Sequence, residues 1–263
     1  MHAIPPRPDL VPARSLPPPA PDRPRATWKW YEIVGLGIGA FLLGSIPAAL
    51  VYAAFGEKPN PGVASGSVDF LATGVAELVT LVVLVLWMRA RHPGWLRVVG
   101  LPKLAGVARE AAIGVLSGLG LLFALSIIVT NVVQPLFRSA TGHVVEPADQ
   151  IGNDIHGWGA VAFVVAAVVI APVTEELLFR GLLFRAIRDR YGFVLGAIGS
   201  AVFFGLLHTG AGAVADVVLL QVSIGLFGLG LAAVYEWRGT LVANVAAHAV
   251  FNLVTVLVVF HLI

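Results

Sequence analysis

The chain has 263 residues, of which 58% are hydrophobic and 12% charged, with a formal net charge of +2. That charged share is about half the usual one for a soluble domain, and with a mean hydropathy of +0.88 it excludes both a soluble enzyme and an intrinsically disordered chain. With no cysteine a disulfide scaffold is excluded too, and no dense Lys/Arg stripe points to nucleic acid, which leaves a multi-pass membrane protein with lipid as its first partner.

Residues 1–28 differ from all that follows. They hold nine of the seventeen prolines, with Arg7, Arg14, Arg23 and Arg25. Proline fixes φ and removes backbone donors, so an extended, disordered cytoplasmic tail is expected. A signal peptide does not fit, because the apolar stretch behind the tail is too long and lacks a small-residue cleavage site.

From Ile33 onward, apolar runs recur at about 33–55, 70–88, 111–134, 158–184, 193–209, 215–235 and 240–262. Most approach the roughly 20 residues that a bilayer-spanning helix needs. They are too long, and alternate too little, for barrel strands. The expected fold is therefore all-α, a transmembrane helix bundle of about seven to eight spans. Residues 29–104 form its N-terminal helices and a basic loop, and 105–263 its core. The segment 95–109 can lie as an interfacial helix. Gly35 with Gly39, and Gly114 with Gly118, have the spacing that lets helices approach closely in lipid.

Basic residues alternate along the loops. Arg89, Arg91, Arg97, Lys103 and Arg109 follow the second run, Arg185, Arg188 and Arg190 follow the fourth, and Arg238 precedes the last. The intervening loops near 60, 145 and 211 are poor in cations. The pattern predicts a cytoplasmic N-terminus in the inner (plasma) membrane, with those three loops outside. An excess of Arg over Lys, with abundant Ala, Gly and Val, fits a GC-rich bacterial genome.

The informative residues are polar ones inside the runs, where a charge costs roughly 2.5–3.5 kcal/mol on insertion scales. Glu77 stands alone in the second run, where hydrogen bonding to a neighbouring helix is expected. In the fourth, the apolar stretch Ala160–Ala171 meets Pro172, expected to break the helix and restart it, and then Glu175, Glu176 and Arg180. Glu176 and Arg180 are four apart and can pair, whereas Glu175 points about 100° away and has no local cation. His208 lies four residues after Phe204, and Asn244, His248 and Asn252 repeat at intervals of four. Counting 1.5 Å per residue from the basic loops puts Glu175, His208 and His248 at similar depths. An acid, two imidazoles and an amide around one buried pocket are what water activation and oxyanion stabilisation need.

In these residues the chain resembles the CPBP family of intramembrane proteases, the relatives of the CAAX prenyl endopeptidases, also called the Abi family. The resemblance rests on Glu175-Glu176-x-x-x-Arg180, Phe204-x-x-x-His208 and His248-x-x-x-Asn252, in that order on separate helices, and extends over about 105–260. It implies an intramembrane endopeptidase acting on membrane-associated peptides or proteins. Glu175 and His208 would activate water, with Glu175 as base. His248 and Asn252 would hold the oxyanion, and Glu176, Arg180 and Phe204 would support the site. A metal-free, glutamate-type mechanism with no cofactor is favoured. If a metal takes part, Glu175, His208 and His248 are the candidate Zn²⁺ ligands. Two other classes remain from sequence: a proton-coupled transporter, which also keeps Glu and His inside the membrane, and a catalytically silent scaffold or immunity protein.

Overall fold

The structure, a computed structural model, describes residues 24–59, 66–101, 104–142, 157–208 and 214–259. Residues 1–23 of the proline-rich tail, and most of the expected outer loops near 60, 145 and 211, lie outside these. Among the described residues there are eight helices and no strand: α1 (Trp30–Phe55), α2 (Ser67–Arg91), the single turn α3 (Trp95–Val98), α4 (Ala105–Thr141), α5 (Trp158–Tyr191), α6 (Phe193–Leu206), α7 (Val214–Arg238) and α8 (Leu241–Val259). Six of them, α1, α2, α4, α5, α7 and α8, are long and apolar enough to cross a membrane. Their outward faces carry large apolar side chains such as Phe41, Leu116 and Phe123, as lipid contact requires.

The run expected as a fifth span is instead the 14-residue α6. At 1.5 Å per residue it is about 21 Å long, short of the roughly 30 Å hydrocarbon core. The bundle thus has six full-length helices and one partial one. Among the described residues 95–101, the short turn α3 is all the helix that forms. It buries Trp95 and Val98 and leaves Leu96 exposed, while residues 105–109 already belong to α4.

Pro172 does not interrupt α5, contrary to the expectation from sequence. Just before it, Val165–Ile170 widens into i→i+5 hydrogen bonding, with Ala171 N–H donating to the carbonyl of Ala166. In that register the next carbonyl, Ala167 O, falls to Pro172, which has no N–H to give. Asn252 on α8 fills the gap, its Nδ2 donating to Ala167 O at 2.7 Å. A second wide segment, Glu176–Phe184, follows. The helix absorbs its proline by widening and by borrowing a donor from α8.

The cation-rich ends of the helices meet at one end of the bundle. Arg188 forms a two-pronged pair with Glu236, Arg238 does the same with Glu110, and Arg185 pairs with Asp189 at 3.1 Å. The chain entering α1 is fastened there too. Ala26 N–H donates to Asp189 Oδ2, Arg185 donates to Pro24 O, and the buried Trp28 indole donates to Leu182 O. Residues 24–28, expected to belong to the disordered tail, are thus held against the bundle.

Of the two glycine pairs, only one packs. A Cβ at Gly114 would run into the carbonyl of Ala243, and one at Gly118 into that of Ala247, whereas Gly35 and Gly39 face open space. The first pair brings α4 against α8 beside His248. Gly118→Val should therefore lower the thermal unfolding midpoint measurably, since overpacking costs about 1–3 kcal/mol. Gly35→Val should leave it unchanged in the same thermal scan.

Candidate active site

Glu176 is fully buried and saturated. Its Oε1 accepts from Arg180 at 3.0 Å and from His248 Nδ1 at 2.9 Å, and its Oε2 accepts from Asn244 Nδ2 at 3.1 Å. Arg180, also fully buried, passes its other terminal nitrogen to Gly228 O on α7 at 3.1 Å. The face of its guanidinium lies 4.3 Å from the Phe204 ring. A charge pair inside a membrane protein needs its hydrogen-bonding groups met, and of this pair's buried atoms Arg180 Nε is left without a partner among the described residues. Helices α5, α6, α7 and α8 each contribute to meeting the others.

Glu175, one residue earlier on α5, is the opposite case. Its Oε1 lies 3.9 Å from His208 Nε2 and its Oε2 3.8 Å from His248 Nε2. Both distances are too long for direct hydrogen bonds. The buried Oε2 has no hydrogen-bond partner. Thus the acid that the spacing leaves without a cation is also the one left without a hydrogen bond.

The imidazoles are held from behind. His208 Nδ1 lies 2.7 Å from Phe204 O, one turn earlier on α6. A carbonyl only accepts, so Nδ1 carries the hydrogen and Nε2 is turned toward Glu175. His248 Nδ1 likewise donates to Glu176, again directing Nε2 at Glu175. The Phe204 ring stands edge-on to both imidazoles, with centroids 4.8 Å from His208 and 5.9 Å from His248.

The structure therefore brings Glu175, His208 and His248 together, with Glu176, Arg180 and Phe204 behind them. Asn252 lies one turn beyond His248, with one amide N–H committed to α5. Glu77 also approaches the site. Thr174 Oγ1 donates to its backbone carbonyl at 3.4 Å, and its carboxyl interacts electrostatically with Glu175. Among the described residues that carboxyl shows no hydrogen bond, contrary to expectation. Asn244 stands out on α8 in the sequence as part of the polar stripe, but its partner Leu231 O lies on another helix, which no spacing shows.

The donor types around Glu175 are those Zn²⁺ accepts, with each histidine's second nitrogen tied to an acceptor. Among the described residues, no group of three His, Asp or Glu side chains is drawn together as tightly as a bound metal holds its ligands.

Residues 157–254 match the family model described as type II CAAX prenyl endopeptidase Rce1-like. This segment contains Glu175, Glu176, Arg180, Phe204, His208, His248 and Asn252, and over it the chain is similar to the CAAX-protease-like family. Among curated proteins, an uncharacterized protein of Mycoplasma capricolum subsp. capricolum is 32% identical over 99 residues, covering 38% of this chain and 28% of its own length. The chain thus spans less than a third of the relative it matches. No solved structure matches.

Removing one side of the buried pair exposes its cost. Arg180→Met should destabilise the protein by about 3–5 kcal/mol, the usual penalty for leaving a buried charge alone, read as a large drop in the unfolding midpoint in detergent.

Proposed function

We propose that this chain is an intramembrane endopeptidase that hydrolyses peptide bonds of membrane-associated peptides or proteins with a water activated by Glu175 and His208. The observation that carries the reading is the Glu175 carboxylate, its buried Oε2 without a partner, faced at 3.8–3.9 Å by two imidazole nitrogens and backed by the buried, hydrogen-bonded Glu176–Arg180 pair. A gap of that size suits a bridging water, with roughly 2.8 Å to each partner.

In this mechanism Glu175 takes one proton from the water as its oxygen forms a bond to the scissile carbonyl carbon. The carbonyl π electrons move onto oxygen. Collapse of the tetrahedral intermediate breaks the C–N bond, and the amine leaves with the proton held by Glu175. His208 orients the water through Nε2. His248 and the second N–H of Asn252 are placed on the oxyanion. For that role His248 carries both ring protons, one donated to Glu176 and one to the substrate oxygen. Losing one such donor typically costs about 2.7–4 kcal/mol in the transition state. The mechanism uses no metal or other cofactor.

The basic end of the bundle, where Arg185, Arg188 and Arg238 gather, is assigned to the cytoplasmic side of the inner (plasma) membrane with the N-terminus. A transporter reading finds less support: α5 is continuous, without the paired broken helices on which transporters build a midplane site.

The test compares membrane peptides from cells carrying wild-type protein and Glu175→Gln. Fragments present only with the wild type are expected, and purified protein should still release them in strong chelator. Identical peptide profiles under several growth conditions would contradict a protease. Activity lost on chelation and restored by Zn²⁺ would move Glu175, His208 and His248 into the role of ligands.

A further inference from the structure

Asn244 lies outside the three motifs, yet it is fully buried where α5, α7 and α8 meet. Its Nδ2 donates to Glu176 Oε2 at 3.1 Å and to Leu231 O on α7 at 2.8 Å. Both partners only accept, so the amide has one usable orientation: turned over, it would set oxygen against a carboxylate and a carbonyl. In the observed orientation Oδ1 is buried without a partner. A leucine of similar bulk would remove that orphan but leave the buried Glu176 Oε2 without a donor.

What the amide does supply is a fixed Glu176. The Glu176 carboxylate has two oxygens and two duties: Oε1 holds Arg180 and His248 Nδ1, and Oε2 is held only by Asn244. Without Asn244, Oε2 has no donor, and the carboxylate can rotate about its last torsion toward Arg180 alone. The bond to His248 Nδ1 would then lose its anchor, and with it the direction of Nε2 toward Glu175.

We infer that Asn244 is a positioning residue for the proposed hydrolysis: by clamping Glu176 Oε2 to α7 it fixes Glu176 Oε1 on His248 and so aims that imidazole at the Glu175 site. This rests on the protease reading and adds a residue that the family motifs leave out. Asn244 touches neither substrate nor water; it acts through Glu176.

The experiment measures kcat and KM on a cleaved membrane peptide for Asn244→Ala, Asn244→Leu, Glu176→Gln and the two double variants, with unfolding midpoints alongside. Partners that orient a site residue from behind typically cost about 10–100-fold in activity when removed. That fold loss is expected in kcat for both single variants at position 244, with KM within about twofold. Asn244→Leu fills the space but leaves buried Glu176 Oε2 without a donor, so it should unfold somewhat earlier than wild type, and kcat is read well below both midpoints. In the Glu176→Gln background the same substitutions should cost little more, since the two residues act in series. Wild-type kcat in Asn244→Leu would overturn the inference, as would a loss confined to KM or losses that multiply fully in the double variants. Should Asn244→Ala not fold, the leucine variant decides alone. Failure of the protease reading looks different: Glu175→Gln would then leave cleavage intact.

Discussion

A buried carboxylate and guanidinium in a membrane protein stay charged only with hydrogen-bond partners to replace water, and the Glu176–Arg180 pair shapes this bundle accordingly. Arg180 draws on the Gly228 carbonyl and the Phe204 ring, and Glu176 on Asn244 and His248. Four helices are thereby pinned at one level. Glu175, the adjacent residue, is turned away from all of this and toward the free nitrogens of two histidines. One glutamate is consumed by structure, and its neighbour is left facing two imidazoles, as the proposed hydrolysis requires.

The same economy holds for α5. Pro172 leaves the Ala167 carbonyl, about two helical turns before Glu175, without a donor, and Asn252 supplies it from α8. That single hydrogen bond fixes the helix bearing the acid to the helix bearing His248. The glycines at 114 and 118 allow α4 to close on the opposite side of α8. The site is thus set between helices gripped on both flanks, which a base and its water require to hold their geometry.

Much of this was legible in the sequence, because the membrane makes polarity expensive. Charges and imidazoles that survive within apolar runs are few, so Glu175, Glu176, Arg180, His208 and His248 could be picked out by position, and the i, i+4 spacing paired Glu176 with Arg180. The length of the apolar runs and their lack of alternation also pointed to the all-α bundle. Other features rest on contacts between distant segments. The continuity of α5 through Pro172 depends on a donor 80 residues away (252 − 172). The shortness of α6 was hidden because apolar residues continue past its end. Gly35 and Gly39 have the same spacing as Gly114 and Gly118, yet only the latter pair has a helix opposite. Asn244 was visible in the polar stripe of α8, but not its hold on α7.

The division of labour between the two adjacent glutamates is most directly tested by measuring kcat and the unfolding midpoint together for Glu175→Gln and Glu176→Gln in one purified preparation. The account predicts opposite profiles. Glu175→Gln should unfold at or above the wild-type temperature and show no turnover, while Glu176→Gln should unfold earlier, because Arg180 has lost its anion, and retain measurable turnover. Equal loss of stability in both variants, or turnover surviving in Glu175→Gln, would contradict it.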